Sequence, residues 1–169
     1  MKTIEGSLVA TGHRYAICVS RFNSFITDKL VEGALDALVR HGVDAGDIQI
    51  YRCSGTFELA PLAVHVARAG KIDGLIALGC LIRGATDHYA LLTAEVTKGL
   101  GHLALEVAAG PSAIAVAFGV LTCESIEQAI ERAGTKAGNK GFDAAMAAIE
   151  LHGLYRAIAG EARGPARRD

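Results

Sequence analysis

The chain alternates short apolar runs with segments of helical periodicity, and this order of elements constrains its fold more than any other feature. Each apolar run predicts a strand, and each is followed by a segment whose apolar spacing predicts a helix. Strands separated by helices form a parallel sheet with right-handed crossovers and helices on both faces. The sequence therefore predicts a three-layer α/β sandwich. Its four parallel strands are predicted at residues 14–20, 47–53, 74–79 and 114–121.

Glycine, proline and capping residues set the predicted helix boundaries. The first helix is predicted to begin with Asn23 or Ser24 as its cap and to end at about Arg40, before Gly42. The second helix carries Pro61 in its first turn, where a missing backbone N–H is tolerated. The second to fifth helices are predicted at residues 57–69, 86–108, 124–133 and 142–159.

Length, charge and hydropathy limit the classes of protein to which the chain can belong. With 169 residues and a net charge of −1, it has room for one domain and no charge excess that would attract nucleic acid. We expect one domain over residues 1–159, of which 1–13 form an N-terminal arm, and a disordered basic tail at 160–169. Since no apolar run approaches the length of a membrane span and residues 1–20 lack a signal-peptide layout, we expect a cytoplasmic protein without membrane or nucleic-acid partners.

The apolar content and the cysteines carry two further expectations. Hydrophobic residues make up 51% of the chain, whereas aromatic residues make up 5% and tryptophan is absent. A small chain this apolar is expected to bury surface against copies of itself. The cysteines lie near the ends of predicted strands without Cys-x-x-Cys spacing, so we expect buried reduced thiols and no metal site. They are Cys18, Cys53, Cys80 and Cys123.

The stretch after the third predicted strand has the features of an anion-binding site. A tight turn, Gly84–Ala85–Thr86, leads from that strand into a helix. The backbone N–H groups and the positive dipole end of a helix N-terminus bind anions. His88 follows in the first turn, where an imidazole that titrates near neutrality can move protons beside a bound phosphate. The residues alone leave open a plain turn with Thr86 as helix cap and a His88 without a catalytic role.

The residues that follow the four strands, including 118–122 after the last, are expected at one edge of the sheet, where α/β proteins bind ligands. Phe22 and Phe57 can stack on a flat ring, although packing in the core beneath the loops is the favoured alternative. Glu58 either binds hydroxyl groups or complements the dipole of the helix that it starts. Arg132 ordinarily serves the C-terminus of its short helix, and Lys140 is expected to be a solvated loop charge.

Taken together, these segments resemble the lumazine synthase family of riboflavin biosynthesis. The resemblance covers residues 14–158 and is carried, in the family's order, by Ser20–Asn23, Gly55–Leu59, Leu81–Tyr89, Phe118–Leu121 and Ile126–Gly141. It implies a flavodoxin-like fold and a transferase that needs neither metal nor organic cofactor. The reaction it implies joins 5-amino-6-(D-ribitylamino)uracil to 3,4-dihydroxy-2-butanone 4-phosphate, giving 6,7-dimethyl-8-ribityllumazine, phosphate and water in the penultimate step of the pathway.

The resemblance also implies roles for particular residues. His88 would be the acid/base group, Phe22 would stack on the pyrimidine ring, and Ala85 and Thr86 would hold the phosphate. The pyrimidine would further bond to the backbone of residues 80–82, and Phe118 and Arg132 would come from the adjacent subunit. The complete set of implied substrate-binding residues is Phe22, Thr56, Phe57, Glu58, Cys80, Leu81, Ile82, Ala85, Thr86, Phe118 and Arg132.

The implied assembly is a pentamer with its sites between neighbouring subunits. The link 134–141 carries no insertion and resembles that of members that assemble twelve pentamers into an icosahedral shell, so we expect sixty subunits. Association with riboflavin synthase is a further expectation that the resemblance brings.

The chain departs from the family pattern at a few positions, and two other functions stay open. Thr56 occupies a place that is commonly Ala, Cys80 and Asp87 are less usual choices, and the stretch 107–113 is longer than in compact members. One alternative is a flavin-binding module of the same fold, although the loop after the first strand lacks a glycine-rich phosphate cradle. The other is a shell-forming scaffold with little turnover.

Overall fold

The chain folds into the three layers that its sequence predicts. The structure is a computed structural model that describes residues 1–110 and 113–162. In space the four strands of the central sheet lie parallel in the order second, first, third and fourth, as in a flavodoxin-like fold. In chain order they are β1 (Tyr15–Ser20), β2 (Ile48–Cys53), β3 (Gly74–Ile82) and β4 (Ala115–Cys123).

Helices cover both faces of the sheet. They are α1 (Ser24–Arg40), α2 (Leu59–Arg68), α3 (His88–Ala108), α4 (Ile126–Glu131) and α5 (Lys140–Ala162). The pair α1 and α5 packs on one face, and the pair α2 and α3 packs on the other. Between α4 and α5 lies a short antiparallel hairpin of β5 (Ala133–Thr135) and β6 (Gly138–Asn139). No helix in the described ranges is long and apolar enough to cross a membrane.

Two apolar cores, one on each face of the sheet, hold the layers together. Because alternate residues of a strand point to opposite faces, Ile17 joins the core under α1 and α5 while Cys18 joins the core under α2 and α3. The central strand β3 is buried on both faces, which explains its unbroken apolar sequence. At Gly141 a Cβ would overlap the backbone carbonyl of Leu30, so glycine permits α5 to lie close against α1.

Several element boundaries differ from the predictions. The strand β3 continues three residues beyond its predicted end, because its pairing with β4 extends to Ile82 and Cys123. The helices α2 and α3 each begin two residues later than predicted, at Leu59 and His88. The last helix runs to Ala162, so residues 160–162 of the predicted tail are helical. The rest of the tail and positions 111 and 112 lie outside the described residues.

Two histidines and a tyrosine are buried at the amino end of the sheet, where the N-terminal arm meets α5. The rings of His13 and His152 meet edge to face with their centroids 4.5 Å apart. Arg156 Nη1 lies 2.9 Å from His13 Nε2, so this ring nitrogen accepts and the proton of a neutral ring lies on Nδ1. Burial lowers the pKa of both histidines and raises that of the nearby Tyr15 hydroxyl. We call these four residues, with Asp73, the histidine cluster.

Candidate active site

The loops after β1, β2 and β3 enclose a cavity of about 660 Å³ at the carboxyl end of the sheet, which we call the first cavity. It gathers all but one of the residues that the sequence predicts for the same-subunit part of the site. The exception is Ala85, whose two chain neighbours both line the cavity. The lining residues are Phe22, Asn23, Gly55, Thr56, Phe57, Glu58, Cys80, Leu81, Ile82, Gly84, Thr86, His88, Tyr89 and Leu92.

The loop after β1 is fixed by its backbone and by Asn23. The N–H of Phe22 donates to the carbonyl of Ser54 at 3.0 Å, which joins this loop to the one after β2. Asn23 adopts a left-handed conformation (φ 59°), and its side chain does not cap α1 as predicted. Instead its Nδ2 donates to the carbonyl of Cys80 at 2.9 Å. Asn23 therefore ties the loop that carries Phe22 to the end of β3.

Two aromatic side chains on the wall of the first cavity are exposed to solvent. Phe22 is 66% exposed and Phe57 is 55% exposed. The expectation that they pack in the core beneath the loops is therefore wrong, because the hydrogen-bonded loops hold both rings above the sheet edge. Exposed aromatic faces on a cavity wall can stack on a planar ring.

The loop after β2 is held by hydrogen bonds within the loop and to the end of β1. The N–H of Gly55 donates to Glu58 Oε2 at 2.9 Å, so this carboxylate closes the turn that leads into α2. A carboxylate has further acceptor positions, which leaves Glu58 able to bind hydroxyl groups of a ligand as well. Thr56 is buried, and its hydroxyl lies 3.4 Å from the hydroxyl of Ser20. The hydroxyl pair anchors the loop to the end of β1.

The turn between β3 and α3 presents backbone groups and an imidazole to the first cavity. The turn 84–86 is exposed, as is His88, which is the first residue of α3. Thr86 does not cap the helix, because Asp87 occupies the N-cap position and makes no side-chain capping bond. The turn therefore combines a positive helix end with a group that carries protons, an arrangement that suits a phosphate undergoing acid–base chemistry.

The cysteines are free thiols, and burial disfavours the thiolate form of the one that lines the first cavity. Burial raises the pKa of Cys80 to about 12, so its thiol stays protonated near neutral pH and is a poor nucleophile. Cys18 and Cys123 are also buried, as expected, whereas Cys53 is half-buried. Within the residues that the structure describes, no group of three or more His, Cys, Asp or Glu side chains is arranged to hold a metal ion.

The two residues assigned to an adjacent subunit line a different cavity of about 410 Å³, which we call the second cavity. Phe118 does not follow β4 as predicted, because it lies in the middle of the longer strand, opposite Ala77. It is 46% exposed. The second cavity is lined by Phe118, Gly119, Val120, Leu121, Thr122, Arg132, Lys140, Asp143, Ala144 and Ala147. Within one chain, Phe118 and Arg132 are therefore near each other but do not line the first cavity.

Arg132 has the local role that its position at a helix end favours. Its Nη1 donates to the carbonyl of Gln128 at 2.9 Å and lies 3.9 Å from Glu131. These contacts leave other guanidinium N–H groups able to bind an anion, since arginine carries five donors.

Several cavity residues were not among the predicted site residues, and Asn23 and Lys140 are two whose polar side chains line a cavity. Asn23 directly follows Phe22, and its left-handed backbone conformation was not predicted from the sequence. Lys140 was expected to be a solvated loop charge, yet it begins α5, lines the second cavity and pairs with Asp143 at 2.7 Å. The hairpin of β5 and β6 brings Lys140 back to Arg132, whose carbonyl accepts its N–H at 2.9 Å. Sequence spacing alone does not reveal that return.

The chain is similar to one enzyme family over nearly all its length. Residues 12–156 match the family model described as 6,7-dimethyl-8-ribityllumazine synthase. A relative of that name from Chlorobium phaeobacteroides (strain DSM 266) is 59% identical over 156 residues, which is 92% of this chain and 97% of the relative. Another from Anaeromyxobacter sp. (strain K) is 53% identical over 168 residues, or 99% of each chain. A third, from Chlorobaculum tepidum, is 53% identical over 158 residues, or 94% and 99%.

Proposed function

The chain belongs to the 6,7-dimethyl-8-ribityllumazine synthase family, and from this premise we propose how it catalyses the condensation that yields the lumazine. The enzyme is a transferase of riboflavin biosynthesis that joins 5-amino-6-(D-ribitylamino)uracil to 3,4-dihydroxy-2-butanone 4-phosphate and releases phosphate and water. One observation carries the assignment of roles: a single cavity gathers exposed aromatic rings, a carboxylate, residues of the turn before α3 and His88. The proposal includes no metal and no organic cofactor.

The pyrimidine substrate is proposed to lie between the exposed aromatic rings and the end of β3. Phe22 stacks on its ring, while Thr56, Phe57 and Glu58 line the space for ring and ribityl chain. The pairing of β1 with β3 ends at Leu78, whereas β3 itself continues to Ile82. The backbone of residues 80–82 therefore extends past the strand beside it. The carbonyl of Cys80 already accepts from Asn23 Nδ2, and the other main-chain groups on this edge support the proposal that Cys80, Leu81 and Ile82 bond the pyrimidine through their backbone.

The second substrate is proposed to bind through its phosphate at Ala85 and Thr86. The exposed turn and the N-terminus of α3 support this, because both favour a bound anion. Imine formation, phosphate elimination and ring closure each need proton transfers, and His88 is placed to carry them. Holding the two substrates in register supplies further acceleration.

We propose that the second cavity of one subunit completes the first cavity of its neighbour. In this arrangement Phe118 covers the ring and Arg132 meets the phosphate, with Lys140 as a second cation beside it. Exposed apolar side chains on α3, with Leu91 at 67% and Leu105 at 77%, support burial of this helix between subunits. The assembly proposed is a pentamer.

Twelve pentamers are proposed to form a sixty-subunit icosahedral shell. The hairpin in the link 134–141 supports this, because its hydrogen-bonded turn fixes the angle between α4 and α5. Association with riboflavin synthase and a cytoplasmic location complete the proposal, and the free thiols support the location because reducing compartments keep cysteines reduced. Sedimentation giving a mass of five or ten subunits at all phosphate concentrations would exclude the shell.

One assay tests the activity directly. Purified protein is mixed with both substrates, and lumazine fluorescence and inorganic phosphate are followed together. We expect one phosphate for each lumazine at a rate above the uncatalysed condensation. A yellow protein with flavin absorbance and no turnover would instead favour the flavin-binding alternative. A colourless shell with no rate above background would favour the scaffold.

A further inference from the structure

The turn that is proposed to hold phosphate receives little support from its own residues. A Cβ at Gly84 would meet no atom within 4 Å, and residues 84–88 are all exposed. Among the hydrogen bonds of the described residues, none ties residues 84–86 to another part of the chain. A turn in this state samples several conformations unless its ends are held.

Arg83, the residue directly before the turn, holds it from three directions. Its backbone N–H donates to the carbonyl of Cys123 at 2.9 Å, and its Nε donates to Glu124 Oε2 at 2.5 Å. Its guanidinium carbon lies 4.3 Å from the ring centroid of Tyr89, which directly follows His88. Arg83 therefore joins the start of the turn both to the residue beyond its far end and to the end of β4.

Glu124, which accepts the hydrogen bond from Arg83, is itself held in place. The N–H of Glu124 donates to Gln128 Oε1 at 2.9 Å, which connects Glu124 to α4. A planar guanidinium suits this site because it can bond a carboxylate at its edge and stack on an aromatic ring with its face. Lysine cannot do both with the same geometry.

We propose that Arg83 is a positioning residue that sets the Gly84–Thr86 turn and His88 in the geometry required by the phosphorylated substrate. The inference rests on the proposed function, and it concerns a residue outside the first cavity, since Arg83 is absent from its lining. Arg83 acts through Glu124 and Tyr89 and does not touch the phosphate. Removing either end of the Arg83–Glu124 contact therefore has the same consequence.

The test compares Arg83→Gln, Glu124→Gln and the double variant. We expect each single variant to raise KM for the butanone phosphate about tenfold, because misplacement of a binding turn by less than an ångström has effects of that order. KM for the pyrimidine should stay within about twofold, and the double variant should be no worse than either single one. Arg83→Lys is expected to recover part of the loss.

A matched control is Arg40→Gln. Arg40 Nε pairs with Asp36 Oδ1 at 2.7 Å on the exposed surface of α1, which is a similar contact away from both cavities. Arg40→Gln should leave the KM values of both substrates unchanged. Circular dichroism and sedimentation of every variant verify fold and assembly, and Glu124→Gln together with Arg83→Lys carries the test if Arg83→Gln does not fold.

A failure of the positioning role of Arg83 can be distinguished from a failure of the proposed function. If KM for the butanone phosphate is unchanged in both single variants, the positioning role is wrong. If Arg83→Gln weakens binding while Glu124→Gln leaves or improves it, Arg83 is a direct phosphate ligand and the inference is overturned. The affinity for inorganic phosphate, measured by calorimetry, gives the same comparison without turnover, so it tests Arg83 even if the wild-type protein makes no lumazine and the proposed function itself fails.

Discussion

At the carboxyl end of the sheet His88 is exposed at the start of α3, whereas at the amino end His13 and His152 are buried against each other. The three side chains are chemically identical. Burial lowers the pKa of His13 and His152, which keeps these two rings neutral around neutral pH. His88 is exposed and lines the first cavity, where it is proposed to be the acid/base group. Burial therefore separates the histidine that a ligand can reach from the two that belong to the packed interior.

The same contrast extends to the residues around each end. The first cavity is walled by exposed aromatic rings and by loops that are held mostly through hydrogen bonds. The histidine cluster is closed by the N-terminal arm and α5, and it contains polar atoms without partners among the described residues. The carboxyl end of the sheet is therefore open to ligands, whereas the amino end joins segments that are distant in sequence.

The largest expected effect contrasts His88 with an exposed histidine outside both cavities. His88→Ala should lower the rate of lumazine formation about ten- to a thousandfold with little change in substrate binding, because acid–base catalysis contributes effects of this order. His65→Ala, on the exposed side of α2, is the matched control and should change neither quantity. Steady-state kinetics with both substrates measures the difference. Unchanged turnover in His88→Ala would overturn the acid/base role.

The second prediction concerns the part of the site that is proposed to come from an adjacent subunit. Arg132→Ala should raise KM for the butanone phosphate about tenfold or more, because hydrogen bonds to charged groups contribute about 1.5–3 kcal/mol. Mixed assemblies of Arg132→Ala and His88→Ala subunits should regain part of the activity, since some interfaces then combine both intact residues. Subunit exchange is verified by mass spectrometry. Exchange without recovery would count against a shared site.

The third prediction uses the buried end of the sheet. Because the pKa values of His13 and His152 are lowered from the ordinary value of 6.5, the unfolded chain binds protons more tightly. The free energy of unfolding should be at its plateau above that value and fall as the pH drops below it. The groups facing the pair are Arg156, which opposes protonation, and Asp73, which favours it.

Urea unfolding at several pH values measures this effect. The double variant His13→Gln/His152→Gln should flatten the dependence, while His65→Gln should leave it intact. An equally steep dependence in the double variant would show that other groups cause it.

The smallest expected effect is that of Tyr15→Phe. The hydroxyl of Tyr15 is buried and has no partner among the described residues, so its removal loses no protein hydrogen bond. Stability should change by less than about 1 kcal/mol, or increase. A larger loss in calorimetry would reveal a partner such as an ordered water molecule.

The fold was predictable because its causes are local in sequence. The central strand β3 is apolar throughout, and the alternation of strands and helices defines the parallel sheet. The same-subunit part of the candidate site was predictable for a related reason: loops that follow parallel strands meet at one edge. The extension of β3 to Ile82 was missed, because the stretch after Gly79 resembles a loop motif and only pairing with β4 makes it a strand.

Other features depend on contacts that sequence spacing does not record. Whether Phe22 is exposed or buried depends on how its loop bonds to the loop after β2. His13 and His152 meet although most of the chain separates them. The assignment of Phe118 and Arg132 to a second subunit came from the resemblance, since no pattern within a chain indicates which residues serve a neighbour.

The length by which β3 outruns β1 has a consequence for how this protein can change over evolutionary time. Past Leu78 the pyrimidine is proposed to take the place of a missing strand beside β3 and to bond the main chain, which is the same for every residue except proline. On this proposal the side chains at these positions have only to fit the two cores, in which Cys80 and Leu81 are buried. A small residue such as Cys80 can then replace another without altering what is recognised, and the aromatic and charged side chains around that edge are proposed to set substrate preference.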